Sequence, residues 1–396
     1  MPKTFQILTL NKISAQGLKR LPAARYIVGT DLTEPDAILV RSHHMLDMHI
    51  PSSVKAIARA GAGTNNVPVK KMSERGVPVF NAAGANANAV KELVLAGMLL
   101  AARNIVPALQ YTASLHGDDA TLHKLVEDNK KHYAGIELHG RTLGIVGLGA
   151  IGSLVADTAL SLGMHVYGFD PELTVDAAWS LSSQVKKAHS LEELLKHSDF
   201  VTLHLPLLTA TRSLINAQRV QAMKAGSVLL NFSRDAIVDS DAIVAGLQSK
   251  HLRCYVCDFP AQKLQGQPNV VALPHLGAST EEAEENCAVM VVDQVREYLE
   301  HGNLTNTVNF PRVVMPRESE FRLAIANSNV PNMLGQISTT LANAGINIHN
   351  MMNKSRDEMA YTLVDTDSAV PDSLIEKIAA IPGVLMVRDL PLPKPL

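Results

Sequence analysis

The sequence predicts an α/β protein: a doubly wound parallel sheet, a smaller α/β unit before it and a βαββαβ unit after it. Three observations support this. The stretch 142–170, TLGIVGLGAIGSLVADTALSLGMHVYGFD, packs strand, glycine loop, helix, strand and terminal acid into one continuous unit. From there six strand-like runs (LGIV, HVYGF, DFVTLHL, SVLLNF, CYVCDF, VVAL) alternate with helical patterns such as LEELLKHS, NAQRVQAM and SDAIVAGLQ, the signature of right-handed crossovers in a parallel sheet. From Phe321 the order is strand (FRLAIANS), helix, strand (NIHNMMNK), strand (MAYTLVDTD), helix, strand (VLMVRDL), which is the ferredoxin-like pattern.

In chain order, residues 1–105 alternate strand-like runs (FQILTL, RYIVG, AILVRS, VPVFNA) with helical stretches such as VKAIARAG, and read as the first α/β domain. The segment KELVLAGMLLAARNIVPALQYTASLHG is apolar and helical apart from Pro107. It needs cover, either as a core helix joining two domains or as a subunit interface, and both readings stay open. Residues 106–283 form the Rossmann-type domain. The helical run STEEAEENCAVMVVDQVREYLEHG then returns the chain to the first domain over about 284–308, making that domain discontinuous. Residues 309–318, which contain two prolines, read as a linker, and 319–396 as the C-terminal module.

Composition narrows the partners. A net charge of −2 leaves no basic field for nucleic acid or an anionic membrane, so a small-molecule substrate must be met by local charge. The N-terminus lacks a cleavable signal pattern and no apolar run approaches a membrane span, which reads as cytoplasmic. The three cysteines cannot form a disulfide framework. Cys254 and Cys257 lie three apart on a strand and therefore face opposite sides, so no metal site is expected.

The glycine loop points to a dinucleotide. Gly147 makes the tight turn after the strand, Gly149 lets backbone approach a pyrophosphate, and Gly152 allows close helix packing. The phosphates would lie at a helix N-terminus, where unpaired N–H groups and the macrodipole favour anions. Asp170, at the end of the second strand, can accept hydrogen bonds from both adenosine ribose hydroxyls and would repel a 2′-phosphate, which favours NAD over NADP. Redox chemistry at a hydroxy acid also needs a proton-exchanging group and a cation for the carboxylate. His275 in LPHLGAST and Arg234 in NFSRDAIVD follow sheet strands at their C-terminal ends, where ligands of such sheets bind.

Together these residues resemble the D-isomer-specific 2-hydroxyacid dehydrogenases, over nearly the whole chain. The likeness rests on RAGAGTNNV (59–67), VFNAAGANANAVKELVL (79–95), GLGAIG with Asp170, HLPLLTATRSLIN (204–216), NFSRDAIVD (231–239), PHLGAST (274–280), and a C-terminal module that resembles an ACT domain. It implies a flavodoxin-like first domain and His275 as catalytic histidine. Arg234 would be the carboxylate-binding arginine and Asp258 a partner of the nicotinamide carboxamide. It also implies cofactor contacts from Gly147, Gly149, Ala150, Ile151, Gly152, Asp170, His204, Pro206, Phe232, Ser233, Arg234, Gly277 and Ala278. The family's glutamate beside the histidine is replaced by Gln262, which can orient an imidazole but cannot stabilise imidazolium by charge.

Within the family, the branch that oxidises D-3-phosphoglycerate at the entry to serine synthesis is the nearest likeness. It implies that Arg41 and Arg59 take the phosphate, with Ala60, Gly61 and Asn86 also at the substrate. It further implies L-serine as an effector at Asn329 and Asn347, and a homodimer or homotetramer; Asn332 stands where the family usually has glycine. Two further readings stay open: a reductase of another 2-hydroxy acid such as glyoxylate or hydroxypyruvate, and an NAD- or amino-acid-sensing protein without turnover.

Overall fold

A computed structural model describes residues 4–390 and 392. These fall into two compact units: the described residues up to Asn86 together with those from Glu281 onward, and Ala87–Thr280.

The first unit opens with a sheet of β1 (Phe5–Leu10), β2 (Tyr26–Gly29), β3 (Ala37–Val40), β4 (Ala56–Arg59) and β5 (Val79–Asn81), all parallel, in the order β2-β1-β3-β4-β5. This is the flavodoxin-like order. The expectation of a helix at VKAIARAG fails, because its centre is β4. Alanine favours helices locally, but Ala56, Ile57 and Ala58 are wholly buried between β3 and β5, and a strand covered on both faces needs only small or branched apolar side chains. The Glu281–His301 helix returns to this sheet as expected, packing Val291, Val295 and Leu299 against Ile7, Leu39, Ala58 and Phe80.

The second unit holds β6 (Thr142–Val146), β7 (His165–Phe169), β8 (Lys186–Lys187), β9 (Phe200–Leu203), β10 (Ser227–Asn231), β11 (Leu252–Cys257) and β12 (Val270–Ala272). Their order is β12-β11-β10-β9-β6-β7-β8, parallel throughout, which is the doubly wound dinucleotide arrangement extended by one strand. The two-residue edge strand β8 has no apolar pattern and escapes a sequence reading.

The boundary expected at 105 falls instead at 86/87. The helix Ala87–Ala102 packs Val90, Val94 and Met98 into the core beneath β6 and β10, so it belongs to the second unit. It does not continue through Pro107. Asn104 takes left-handed backbone (φ 50°), the next helix, Ile105–Ala113, leaves at 67°, and Pro107 sits in its first turn, where a missing N–H costs nothing. Among the described residues no single helix is long and apolar enough to cross a membrane.

The C-terminal module is an antiparallel sheet of β13 (Phe321–Ser328), β14 (Ile348–Arg356), β15 (Met359–Thr366) and β16 (Val384–Asp389), in the order β14-β15-β13-β16. Its helices Met333–Asn343 and Asp372–Ala379 cover one face through Ile337, Leu341, Leu374 and Ile378. The other face, with Ala324, Ala326, Tyr361 and Leu363, joins the core of the first unit against Tyr298, Leu299 and Phe310. Three buried polar side chains fix that docking. Arg322, fully buried, pairs with Asp365 (2.6 Å and 2.9 Å) and donates to the carbonyls of His301, Met315 and Pro316. Arg388 donates to Tyr298 O and Leu299 O and lies 4.5 Å above the Tyr298 ring, and Tyr361 Oη donates to Gly302 O at 2.7 Å. The stretch expected as a linker is therefore packed: Phe310, Val313 and Met315 are buried, and Val313 and Leu304 exchange backbone hydrogen bonds.

Candidate active site

In the second unit, β6 ends in the glycine loop. Gly147 has φ +94°, and a Cβ there would lie 2.3 Å from His204 O, while a Cβ on Gly152 would lie 2.0 Å from Gly147 O. Only glycine allows this turn and this packing. The helix Ala150–Ser161 begins at Gly149 with no side-chain cap, and a Cβ added to Gly149 would meet no atom within 4 Å. A helix start without a side-chain cap, with open space beside Gly149 and next to Ala150 and Ile151, fits a pyrophosphate. Asp170 follows β7, and its oxygens accept from Leu148 N (2.9 Å) and Glu172 N (3.0 Å). Each oxygen keeps a further lone pair for a ribose hydroxyl.

At the ends of β9 and β10 two loops are laced together. Ser233 Oγ donates to Leu203 O (2.6 Å) and accepts from Leu205 N (3.0 Å), while Ser233 N donates to Asn231 Oδ1. His204 Nε2 lies 3.0 Å from Thr202 Oγ1, and burial pushes its imidazole down to about 3, so it is neutral at ordinary pH. Phe232 is buried, and Pro206 is exposed with its carbonyl accepting from Thr211. Arg234 is exposed, its Nη1 donating only to Ser233 O, which leaves the rest of the guanidinium fork available.

His275 sits in the loop after β12 with left-handed backbone (φ 58°), uncommon for a residue other than glycine. Asp258, 1% exposed at the end of β11, holds it there. The Asp258 carbonyl accepts from His275 N (3.1 Å), and its carboxylate accepts from Leu276 N (2.7 Å) and Gly277 N (2.8 Å). The imidazole itself is exposed and rests against the Phe259 ring, centroids 4.9 Å apart. Ala278 is exposed beside it. Gln262 opens a single 3-10 turn, exposed, and forms no hydrogen bond with His275, so the expected pairing is not present in this structure. The supports of this loop, Phe259 and the two backbone N–H groups, carry no sequence signal beyond their closeness to Asp258 and His275.

In the first unit, Arg59 ends β4 and its Nε donates to Arg41 O at 3.1 Å. Its guanidinium occupies the space where a side chain on Gly61 would begin: a Cβ there would stand 1.7 Å from Nη1, and Gly61 has φ +151°. Ala60 is buried behind it. Arg41 is not an open cation, since its guanidinium pairs with Glu284 at the start of the returning helix, an acid that nothing in the sequence links to it. Asn86 is half-buried and is the last residue of this unit.

Asn329 and Asn347 do not meet within one chain. The sheet register sets Ser328 opposite Met359 and Ile348 opposite Thr366, at opposite ends of β15. Asn329 Nδ2 donates to Asp357 O (3.1 Å) and Asn347 Nδ2 to Asp367 Oδ2 (2.7 Å). Asn332, at φ 64°, adopts the backbone that glycine favours. Cys254 and Cys257 do face opposite sides of β11, in separate cores, and burial raises both thiols, that of Cys254 to about 12. Among the described residues no cluster of potential metal ligands occurs.

Comparison with known proteins bears on this geometry. Residues 95–277 match the family model described as the NAD-binding domain of D-isomer-specific 2-hydroxyacid dehydrogenases. D-3-phosphoglycerate dehydrogenase of Haemophilus influenzae is 34% identical over 340 residues, covering 83% of this chain and 79% of that protein. The Escherichia coli protein of the same name is 33% identical over 341 residues, with the same coverage. Among solved structures, the TT0316 protein from Thermus thermophilus superposes with a TM-score of 0.58 at 29% identity, over 76% of this chain and 99% of that one. NAD+-bound 3-phosphoglycerate dehydrogenase of Entamoeba histolytica, 23% identical, shares the fold with a TM-score of 0.59 over 77% of this chain and 99% of that one. The chain belongs to the D-isomer-specific 2-hydroxyacid dehydrogenases, and its second unit carries their NAD-binding domain.

Proposed function

We propose that this chain oxidises D-3-phosphoglycerate to 3-phosphohydroxypyruvate with NAD, the entry step of L-serine synthesis. The observation that carries the reading is the His275 loop: an exposed imidazole on left-handed backbone, fixed by Asp258, at the strand ends of an NAD-binding domain. The relatives' shared name supplies the substrate. NAD would be held by the 147–152 loop and Asp170 and supplies a hydride acceptor when bound. His275 takes the C2 hydroxyl proton, as general base. Arg234, with most of its fork unengaged, pairs with the carboxylate. Arg59 meets the phosphate; Arg41 contributes only if the phosphate displaces Glu284. Asp258, with both oxygens already accepting N–H groups, acts as the positioning residue of the His275 loop, a role distinct from the carboxamide contact that the family likeness implies.

L-Serine, the end product, is the proposed effector. With Asn329 and Asn347 at opposite ends of β15, a site using both is built from two chains, which is in keeping with a homodimer or homotetramer. The buried thiols, raised by burial, suit a reducing cytoplasm.

The test is NADH formation by the purified chain on D-3-phosphoglycerate, run beside glycerate and other unphosphorylated 2-hydroxy acids. Faster turnover of the unphosphorylated acids would overturn the substrate assignment, and no turnover of any would overturn the enzyme.

A further inference from the structure

We propose that the first unit carries a second anion site, lined by Arg312 and Arg356, where the C-terminal module meets the end of β5, and that it takes a small doubly charged oxyanion. A cavity of about 330 Å³ opens there, with Asn81, Thr305, Asn306, Thr307, Arg312 and Arg356 among its walls and no carboxylate. That volume exceeds a bare phosphate and lies in the range of small-ligand pockets.

The charge is only weakly compensated. Arg312 forms no ion pair or hydrogen bond with any described residue. Arg356 reaches Thr307 O at 3.4 Å, and its Nε lies 3.8 Å from Asp357, whose side chain is 88% exposed and therefore a weak counterion. Two arginines on the lining of one cavity offer an oxyanion charge-assisted hydrogen bonds, for which the planar guanidinium fork is suited. Thr305 and Asn306 add neutral hydrogen-bonding groups at the wall.

The walls come from three segments: Asn81 at the end of β5, the packed stretch 305–312, and Arg356 at the end of β14. Asn81 Nδ2 donates to Ala62 O (2.7 Å) and Ala82 N to Gly61 O (3.0 Å), so this wall is tied to the loop that follows Arg59. An anion here would staple the module to that loop. Neither Asn329 nor Asn347 lines the cavity, so it is separate from the proposed serine site. The site also stands apart from the proposed reaction, and its test reads binding and stability only.

Inorganic phosphate and succinate are titrated calorimetrically into the full chain carrying Arg59→Ala, which removes the phosphate contact proposed for the substrate. The same titrations are run on that chain with Arg312→Ala and Arg356→Ala added, and with Arg312→Lys and Arg356→Lys. At least one probe should bind the first protein, about tenfold or more weakly the alanine variant, and with intermediate strength the lysine variant. Binding should slow amide exchange in 79–83, 305–312 and 348–358. Preference for phosphate identifies a phosphate ester as the ligand class, and preference for succinate a dicarboxylate; either supports the site. Equal binding with and without the two arginines, or no binding of either probe at about 10 mM, overturns it. Both arginines reach solvent, and circular dichroism with thermal melts checks that every variant folds.

Discussion

Asp258 grips the loop of His275 on three sides, its carbonyl taking the His275 N–H and its two carboxylate oxygens taking the N–H groups of Leu276 and Gly277. A buried carboxylate with both oxygens so engaged is a rigid part, and the strained backbone at His275 persists because this acid over-determines it.

His275→Asn should therefore leave NAD affinity nearly unchanged and lower kcat by about 10²–10⁴-fold, the scale of lost general acid–base catalysis. Asp258→Asn should also lower kcat and reduce Tm, because an amide turns one acceptor into a donor facing an N–H. If Asp258 acts through His275, the double variant should be little slower than His275→Asn alone. Losses that multiply would show that Asp258 has a separate role.

Gly61→Ala should behave like a partial Arg59→Ala. The methyl group would occupy the place of the guanidinium and force a conformation that L residues rarely adopt. In both variants KM for phosphorylated substrates should rise, while unphosphorylated 2-hydroxy acids change little. Equal penalties on both substrate classes would rule out a phosphate role for Arg59.

Asp170→Ala should shift the kcat/KM ratio toward NADP by removing the charge that opposes a 2′-phosphate. It also takes the acceptor from Leu148 N in the glycine loop, so both cofactors should bind more weakly while the ratio moves. A fixed ratio would locate the discrimination elsewhere.

Acid stability tests His204. Its folded value, about 3, lies below the ordinary 6.5, so the unfolded chain takes up the proton first. The contribution to stability is complete above about 6.5 and is lost as pH falls from there toward 3. His204→Gln, which can keep the hydrogen bond to Thr202, should flatten the fall of Tm between about pH 6.5 and 4. An unaltered slope would mean that other groups govern acid unfolding.

The legible parts of the sequence were those where local chemistry and global placement agree. The glycine loop, Asp170, and the loops of Arg234 and His275 could be read because a strand, a turn and a helix follow one another within a few residues. The strand β4 is not legible, because its alanines speak for a helix locally and only burial on both faces overrides them. The pairs Arg41–Glu284 and Arg322–Asp365 join residues far apart in sequence, and no spacing rule reaches across such distances. The cavity of Arg312 and Arg356 is hidden for the same reason, its walls coming from segments far apart in sequence, with Phe310 and Arg312 in the stretch that reads as a linker.

The serine reading makes a prediction that the fold sharpens. Cutting the chain near Arg317 would not test it cleanly, since removal of the module would uncover Tyr298, Leu299 and Phe310 and take away the side-chain donors to the carbonyls of Tyr298, Leu299 and Gly302. Substitution is the better tool. Asn329 and Asn347 stand at opposite ends of β15, so a ligand touching both must draw one from each of two chains. Asn329→Ala and Asn347→Ala should each abolish inhibition by millimolar L-serine without altering basal turnover, because an amide is lost from every site. Oligomers formed by mixing the two variants should regain part of the inhibition, because some of their sites pair an intact Asn329 with an intact Asn347. Inhibition also requires serine to favour the less active state, so binding and activity are measured together. Full serine inhibition in both single variants would remove these asparagines from the effector site, and mixed oligomers as insensitive as their parents would show that the site does not span two chains.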